Sequence, residues 1–300
     1  MDKPTKHDAS QVIVLSIDAV KKFTIIAMFS DDELMSQLVL KGGNALDLVH
    51  KISTRASADI DLSISRDFPG GKDDFRRRVE RALSQTFADE GYHVFDVRME
   101  ERPEQISAEL RDFWGGYGVE FKLISSARRA DVGDDIEALR RNALNLGRGT
   151  KFLVDISRYE YTDGKEAVDF EGYRIFVYSV QMMVCEKLRA ICQQMPEYGP
   201  VIKRSRPGTP RARDFVDIHA LISIFHIRLD ACKQLLRDIF AAKRVSLRLL
   251  SKIHQYRDFH RADFPAVQDT VRPGVELKSF DFYFDFVVKS VEQLEAFWDV

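Results

Sequence analysis

Apolar residues recur every three or four positions over residues 10–29 and 73–90, and alternate with polar ones over 92–99, 117–125 and 151–158. The first spacing predicts helices and the second predicts strands. Between them, residues 36–40 lead into a turn at Gly42-Gly43, 44–51 read as a short helix, 59–65 as a further strand, and 134–145 as a helix or ordered connection. After Tyr178 the strands largely stop, and 179–194, 214–225, 229–242, 245–259 and 281–298 all carry helical spacing. This order predicts an α+β chain: a mixed β-sheet lobe with flanking helices over 1–177, and a mainly helical lobe over 178–300 that completes a cleft.

The turn and the strand after it carry the candidate chemistry. Lys41-Gly42-Gly43-Asn44 reads as a strand end, a tight turn and a helix start whose free N–H groups point at an anion. Arg55 and Ser57 precede the next strand and are placed to touch phosphates, unless Arg55 pairs with a nearby acid. In that strand Asp59 and Asp61 project from one face while Ile60, Leu62 and Ile64 pack behind. Two adjacent carboxylates repel unless a cation joins them, and Mg²⁺ accepts a few carboxylates together with substrate phosphates. Asp155 is a lone acid on a strand whose Phe152, Val154 and Ile156 face the other way; it reads either as a third carboxylate or as an Asp paired with an arginine. Lys187 falls on the helical stripe Val180, Met183, Val184, Leu188, Ile191, where a purely solvated role does not fit. Asp214 and Asp217 share one face of the next helix, opposite a stripe of Phe215, Ile218, Ile222 and Phe225. Asp214 reads as an N-cap or a cleft acid, with Asp217 its alternate.

Four blocks, taken in order, resemble the nucleotidyltransferase fold of the DNA polymerase β type, and more closely the AbiEii/AbiGii toxin family: Lys41-Gly42-Gly43 with Ala45-Leu46; Arg55, Ser57, Asp59-Ile60-Asp61; residues 151–157; and Glu186-Lys187-Leu188-Arg189-Ala190 followed by Arg213-Asp214-Phe215-Val216-Asp217. Many members of the wider superfamily carry Gly-Ser at the turn, whereas here Gly43 removes a hydroxyl and leaves the backbone and Asn44 to meet phosphate. The resemblance implies an enzyme that moves a nucleoside monophosphate from an NTP to an acceptor hydroxyl with Mg²⁺ or Mn²⁺. Asp59, Asp61 and Asp155 would hold the metal, Lys187 and Asp214 would join them in catalysis, and Lys41, Gly42, Gly43, Asn44, Arg55, Ser57 and Lys187 would bind the nucleotide. It also implies a toxin with a cognate antitoxin or a phage-defence role, and an RNA acceptor such as the 3′ end of tRNA.

Charge and composition then limit the partners. With 45 Lys and Arg against 47 Asp and Glu, the net charge of −2 gives no global attraction to nucleic acid. One local patch exists: in 196–213, Lys203, Arg204, Arg206, Arg211 and Arg213 face a single acid, Glu197. With its prolines this segment reads as an exposed irregular loop, either an RNA track through Lys203, Arg204, Arg206 and Arg211 or a solvated linker. No apolar run approaches a membrane span and Met1-Asp2-Lys3-Pro4 opens no signal-peptide core. Together with Cys185 and Cys192 too far apart on one helix to bridge, this predicts a cytoplasmic protein. The histidines show no zinc spacing, and no Gly-x-x-x-x-Gly-Lys-Ser/Thr supports a P-loop. Two alternatives are a small-molecule nucleotidyltransferase of the antibiotic-modifying kind, and a metal nuclease using Glu120 and Lys122.

Overall fold

The sheet includes the strands that the alternation predicted, at 59–65, 92–99, 117–125 and 151–158. In the computed structural model, which describes residues 15–52, 59–147, 149–271, 274–294 and 298, seven strands form one mixed sheet. They are β1 (Val39–Lys41), β2 (Ile60–Ser63), β3 (Tyr92–Arg102), β4 (Gly116–Ser125), β5 (Phe152–Ser157), β6 (Lys165–Phe170) and β7 (Tyr173–Tyr178), in the spatial order β3-β4-β5-β2-β1-β7-β6. β2 runs antiparallel to β1 and parallel to β5, so these three strands meet at the sheet centre. There Leu40, Leu62 and Val154 are wholly buried.

The helices are α1 (Ile17–Ser30), α2 (Asp32–Gln37), α3 (Gly42–Asn44), α4 (Gly71–Asp89), α5 (Ser126–Val132), α6 (Ile136–Arg141), α7 (Val180–Cys192), α8 (Ala212–Phe225), α9 (Lys233–Ala242), α10 (Arg257–Arg261), α11 (Phe264–Gln268) and α12 (Phe280–Glu292). Local chemistry sets several starts. Ser16, Asp31, Ser125, Asp135, Ser179 and Ser279 each accept a hydrogen bond from a backbone N–H two or three residues on. α1 and α4 pack on each other beside the sheet. α7 lies between β7 and the helices that follow, with Met182 to Cys185 and Lys187 to Cys192 all buried. One continuous cluster of buried apolar side chains runs from Ile25 and Leu40 through Val154 and Leu188 to Phe215 and Phe284. Among the described residues no helix is long and apolar enough to cross a membrane.

Several elements differ from the periodicity reading. Ser36 and Gln37 close the short helix α2, and the strand entering the turn is only Val39–Lys41. The segment expected as a helix over 245–259 is a 3₁₀ helix, Leu247–Tyr256, running into α10. The β6–β7 hairpin was not predicted, because Lys165–Phe170 exposes charge along most of its length as an edge strand and so lacks apolar alternation. The stripe assigned to α8 also turns: Phe225 is 40% exposed while Asp214 and Asp217 are buried. Phe215 and Ile218 stay fully buried, and the two acids join them because the facing helix α7 presents Lys187.

Candidate active site

Register brings the predicted acids together. Lys41 pairs with Asp61 across β1 and β2, and Asp61 pairs with Asp155 across β2 and β5. Side chains at paired positions of adjacent strands share a face, so Lys41, Asp61 and Asp155 all project toward one cleft. Gly42 closes the site from the side. Its φ of +69° lies in the left-handed region, and a Cβ there would sit 2.3 Å from Asp61 Oδ2. The turn therefore needs glycine twice over, for backbone conformation and for the approach to the carboxylate. Asn44 is fully buried and donates through Nδ2 to the Asp59 carbonyl at 2.5 Å, tying the start of the helix to the start of β2. It braces the turn and does not line the cleft. Asp59 itself is exposed at the bend before β2. Arg55 and Ser57 lie outside the described residues.

The acids feel one another. Burial pushes the Asp61 carboxyl up to about 6; Lys41 opposes the rise, while Glu186, Asp155 and Asp59 add to it. Burial likewise raises Asp155, against the pull of Arg102 and with the push of Asp59. These are hard oxygen donors with an excess of negative charge, the chemistry of a Mg²⁺ site. No group of three acidic, His or Cys side chains forms a closed metal cage among the described residues. The donor set instead fits a cation that takes one or two carboxylates and completes its shell with water and phosphate oxygens.

A layer of buried charge underlies them. Lys41, 8% exposed, donates to Ser157 Oγ at 3.2 Å and lies 3.6 Å from carboxylate oxygens of both Glu160 and Glu186. Burial works against its charge, but Glu160 and Glu186 hold its pKa above the ordinary lysine range. Glu160 also takes Arg189 at 2.6 Å and Lys243 at 3.6 Å. Burial opposes the Glu160 carboxylate too, yet these cations keep it well below the usual range. Lys243 donates to the carbonyls of Phe113 and Arg158, and burial lowers it to about 8. Glu160 and Lys243 carry no local pattern that could have marked them in the sequence. Glu186 and Arg189 stood only inside a family block.

The opposite wall comes from α7 and α8. Lys187 is buried and donates to Asp214 Oδ1 at 3.0 Å and Asp217 Oδ2 at 2.8 Å. The two acids that the sequence left unseparated now differ: Asp214 lines the cleft, whereas Asp217 braces Lys187 from behind. Asp214 also accepts from Arg211 Nε at 2.5 Å, and Arg211 and Lys187 keep it ionised against the cost of burial. Arg213, exposed and without an ion pair among the described residues, points an open cation at the same cleft.

Arg102 is the main residue that sequence reasoning missed. It lies flat on Gly118, where a Cβ would meet its Nε at 2.3 Å, and donates to Asp155 Oδ1 at 2.6 Å. Asp155 is thus both a cleft acid and an acid paired with an arginine. Sequence offered no clue, since Arg102 ends a strand two places across the sheet. The cleft encloses about 440 Å³ and is lined by seven cationic side chains (Lys41, Arg102, Lys187, Arg189, Arg211, Arg213, Lys243) against five acids (Asp61, Asp155, Glu160, Glu186, Asp214), a balance that suits a polyanion.

The basic segment is more ordered than a free loop. Residues Pro196–Ile202 form a 3₁₀ helix, and Arg204 donates to the carbonyls of Gln193, Gln194 and Met195 at 2.9–3.2 Å, capping the end of α7. Lys203 pairs with Glu109, and Arg211 belongs to the cleft; Arg206 alone of the four remains exposed and unpaired among the described residues. Glu120 and Lys122 do not line the cleft; they pair with Lys151 at 2.7 Å and Asp96 at 3.0 Å.

Residues 24–286 match the family described as nucleotidyl transferase AbiEii toxin, type IV toxin–antitoxin system. No curated protein matches the sequence. Solved structures similar to it include JHP933 from Helicobacter pylori, 15% identical over 96% of each chain with a TM-score of 0.48. Another is MenT4, a nucleotidyltransferase toxin from Mycobacterium tuberculosis H37Rv, 14% identical over 93% of this chain and 82% of that one, with a TM-score of 0.43.

Proposed function

The chain belongs to the AbiEii nucleotidyltransferase toxin family of type IV toxin–antitoxin systems, and from that premise we propose that it transfers a nucleoside monophosphate from an NTP to a hydroxyl of an RNA acceptor, tRNA in particular, with Mg²⁺. The family brings with it a nucleotide substrate and a cognate antitoxin. The observation that supports the finer reading is the alignment of Lys41, Asp61 and Asp155 at one register of the central strands, with Gly42 against Asp61, on a cleft whose lining cations outnumber its acids.

Asp59, Asp61 and Asp155 would hold the metal, which supplies charge to the α-phosphate and lowers the cost of ionising the acceptor hydroxyl. The protein does the positioning. Gly42 and Gly43 bring backbone within reach of the phosphates, with Lys41 fixed beneath the acids by Glu160 and Glu186. Arg211, just before α8, and Arg213 in its first turn meet the β- and γ-phosphates. The acceptor oxygen bonds to the α-phosphorus as the bond to the β-phosphate oxygen breaks and pyrophosphate leaves. Asp155, released from Arg102, takes the acceptor proton. Lys187 holds Asp214 and Asp217 in place and so fixes the wall from which Arg211 and Arg213 reach.

Incubating the protein with each labelled NTP, Mg²⁺ and total tRNA tests this reading. Label should move to RNA with the wild type and not with Asp61→Asn. Label carried by a small molecule and never by RNA would refute the acceptor; activity equal in Asp61→Asn would refute the site.

A further inference from the structure

Gln194, just past the end of α7, borders two spaces. One is the cleft; the other is a second cavity of about 550 Å³ enclosed by the 196–208 segment, Tyr256 and Phe259. Its walls are set in advance. Arg204 binds three carbonyls at the end of α7, and Thr209 N donates to Gln194 Oε1 at 2.9 Å. Glu197 accepts from Lys252 at 2.8 Å and from the Tyr256 hydroxyl at 2.9 Å, which pins the 3₁₀ helix against the segment carrying the aromatics. Gly208 packs so close that a Cβ would lie 2.1 Å from the Gln194 carbonyl oxygen. A pocket held this way loses little freedom when filled.

The lining specifies a ligand class. Prolines at 196, 200 and 207 and the rings of Tyr256 and Phe259 give it flat apolar faces, and two arginines with no acid give it positive charge. Phe259 is half-buried, and its ring contacts with Tyr256 and His260, at 6.4 and 4.9 Å, are near-perpendicular rather than stacked. Arg206 stands exposed and unpaired among the described residues. A flat ring with an anion attached, a nucleotide with an unpaired base, matches both features. The volume is that of an ordinary small-ligand site.

We propose that this cavity receives an unpaired base of the RNA acceptor, adjacent to the terminal nucleotide that reacts in the cleft, with the base stacked on Phe259 and its phosphate on Arg206. The assignment rests on the RNA reading above and adds the place where the acceptor is gripped. It also explains how a chain of net charge −2 engages RNA, through one stacking pocket beside the reaction centre.

The test uses the full chain with a short single-stranded RNA acceptor. Phe259→Leu keeps apolar volume and removes the π-face; it should raise KM for RNA about tenfold or more, with kcat at saturation and KM for NTP unchanged, and Phe259→Tyr should restore it. Arg206→Ala should raise the same KM and flatten its log–log salt dependence by about 0.7. With 2-aminopurine as the base next to the 3′ end, fluorescence should be quenched by wild type and not by Phe259→Leu, which reads binding without turnover. Unchanged unfolding midpoints keep these effects separate from folding. RNA labelling with wild-type KM in both Phe259→Leu and Arg206→Ala, or a probe unquenched by wild type, overturns the cavity assignment and leaves the RNA reading intact. A wild-type protein that labels no RNA overturns both.

Discussion

Replacing Gly42 with alanine tests the heart of the site, because two separable penalties meet there. Its φ of +69° places an alanine in the left-handed region, which costs about 1–2 kcal/mol. The added Cβ would also lie 2.3 Å from Asp61 Oδ2. To reach an ordinary contact distance the carboxylate or the turn must move by roughly 1 Å. A shift of that size at a reacting centre costs on the order of a hundredfold in rate. Gly91 separates the two effects: it has φ of +79° in the turn between α4 and β3, and a Cβ there meets nothing within 4 Å. Gly91→Ala should therefore lose about the same 1–2 kcal/mol in urea unfolding and keep its transfer rate. Gly42→Ala should lose that stability and at least about a hundredfold in NMP transfer. Equal activities for the two variants would show that Gly42 does not position Asp61 for the reaction.

Other substitutions follow from the same geometry. Lys187→Met removes the cation that two buried aspartates share, leaving Asp214 with Arg211, and should cost about 3–5 kcal/mol of stability along with activity. Arg213→Ala, at an exposed position, should raise KM for NTP about tenfold with unfolding unchanged; parity of KM with wild type would remove Arg213 from the triphosphate site. Lys122→Ala breaks only the pair with Asp96 and should leave transfer within a few fold of wild type, whereas cleavage of nucleic acid abolished by this variant would revive the nuclease alternative. His260 is fully buried, accepts the Arg211 N–H at 3.0 Å, and is lowered by burial to about 4. Its neutral form therefore contributes stability that is present above pH 6.5 and lost as pH falls through about 4. The loss amounts to about 3 kcal/mol. Urea unfolding across that window should show the fall in wild type and a shallower one in His260→Gln, and identical slopes would contradict it.

What the sequence could disclose tracks how locally each feature is determined. Asp61 and Asp155 were legible because one-sided burial of Ile60 and Leu62, and of Phe152, Val154 and Ile156, fixes the face of each acid by period two. Helical spacing likewise placed Lys187 on the apolar face of α7. It could not name the partners, because Asp214 and Asp217 reach it from another helix, and their burial is set by that pairing rather than by the apolar stripe of α8. Arg102, Glu160 and Lys243 were illegible for a like reason. Each is a single charged residue without periodicity, brought to the cleft from elements far apart in the chain. The basic segment misled in the opposite direction. A run of like charge reads as one surface, yet Arg204 caps a helix, Arg211 and Arg213 line the cleft, Lys203 pairs with Glu109, and Arg206 stays exposed and unpaired among the described residues.

The cations around the cleft fall into two tiers, and the division has a mechanistic consequence. Lys41, Lys187, Arg189 and Lys243 are all 8% exposed or less and each is matched to carboxylates or carbonyls. Withdrawing a partner from such a charge costs several kcal/mol, so these groups are fixed before nucleotide arrives and supply a field that need not reorganise. Arg102 and Asp155 are different. Their side chains are 46% and 41% exposed, so the pair is worth little net stability and opens at small cost even though its contact is short. In the proposed reaction, the Arg102 guanidinium would be free to leave Gly118 and follow the phosphates while Asp155 turns to the acceptor. A rigid buried tier thus underlies one loosely held ion pair, Arg102 with Asp155, at the exposed side of the cleft.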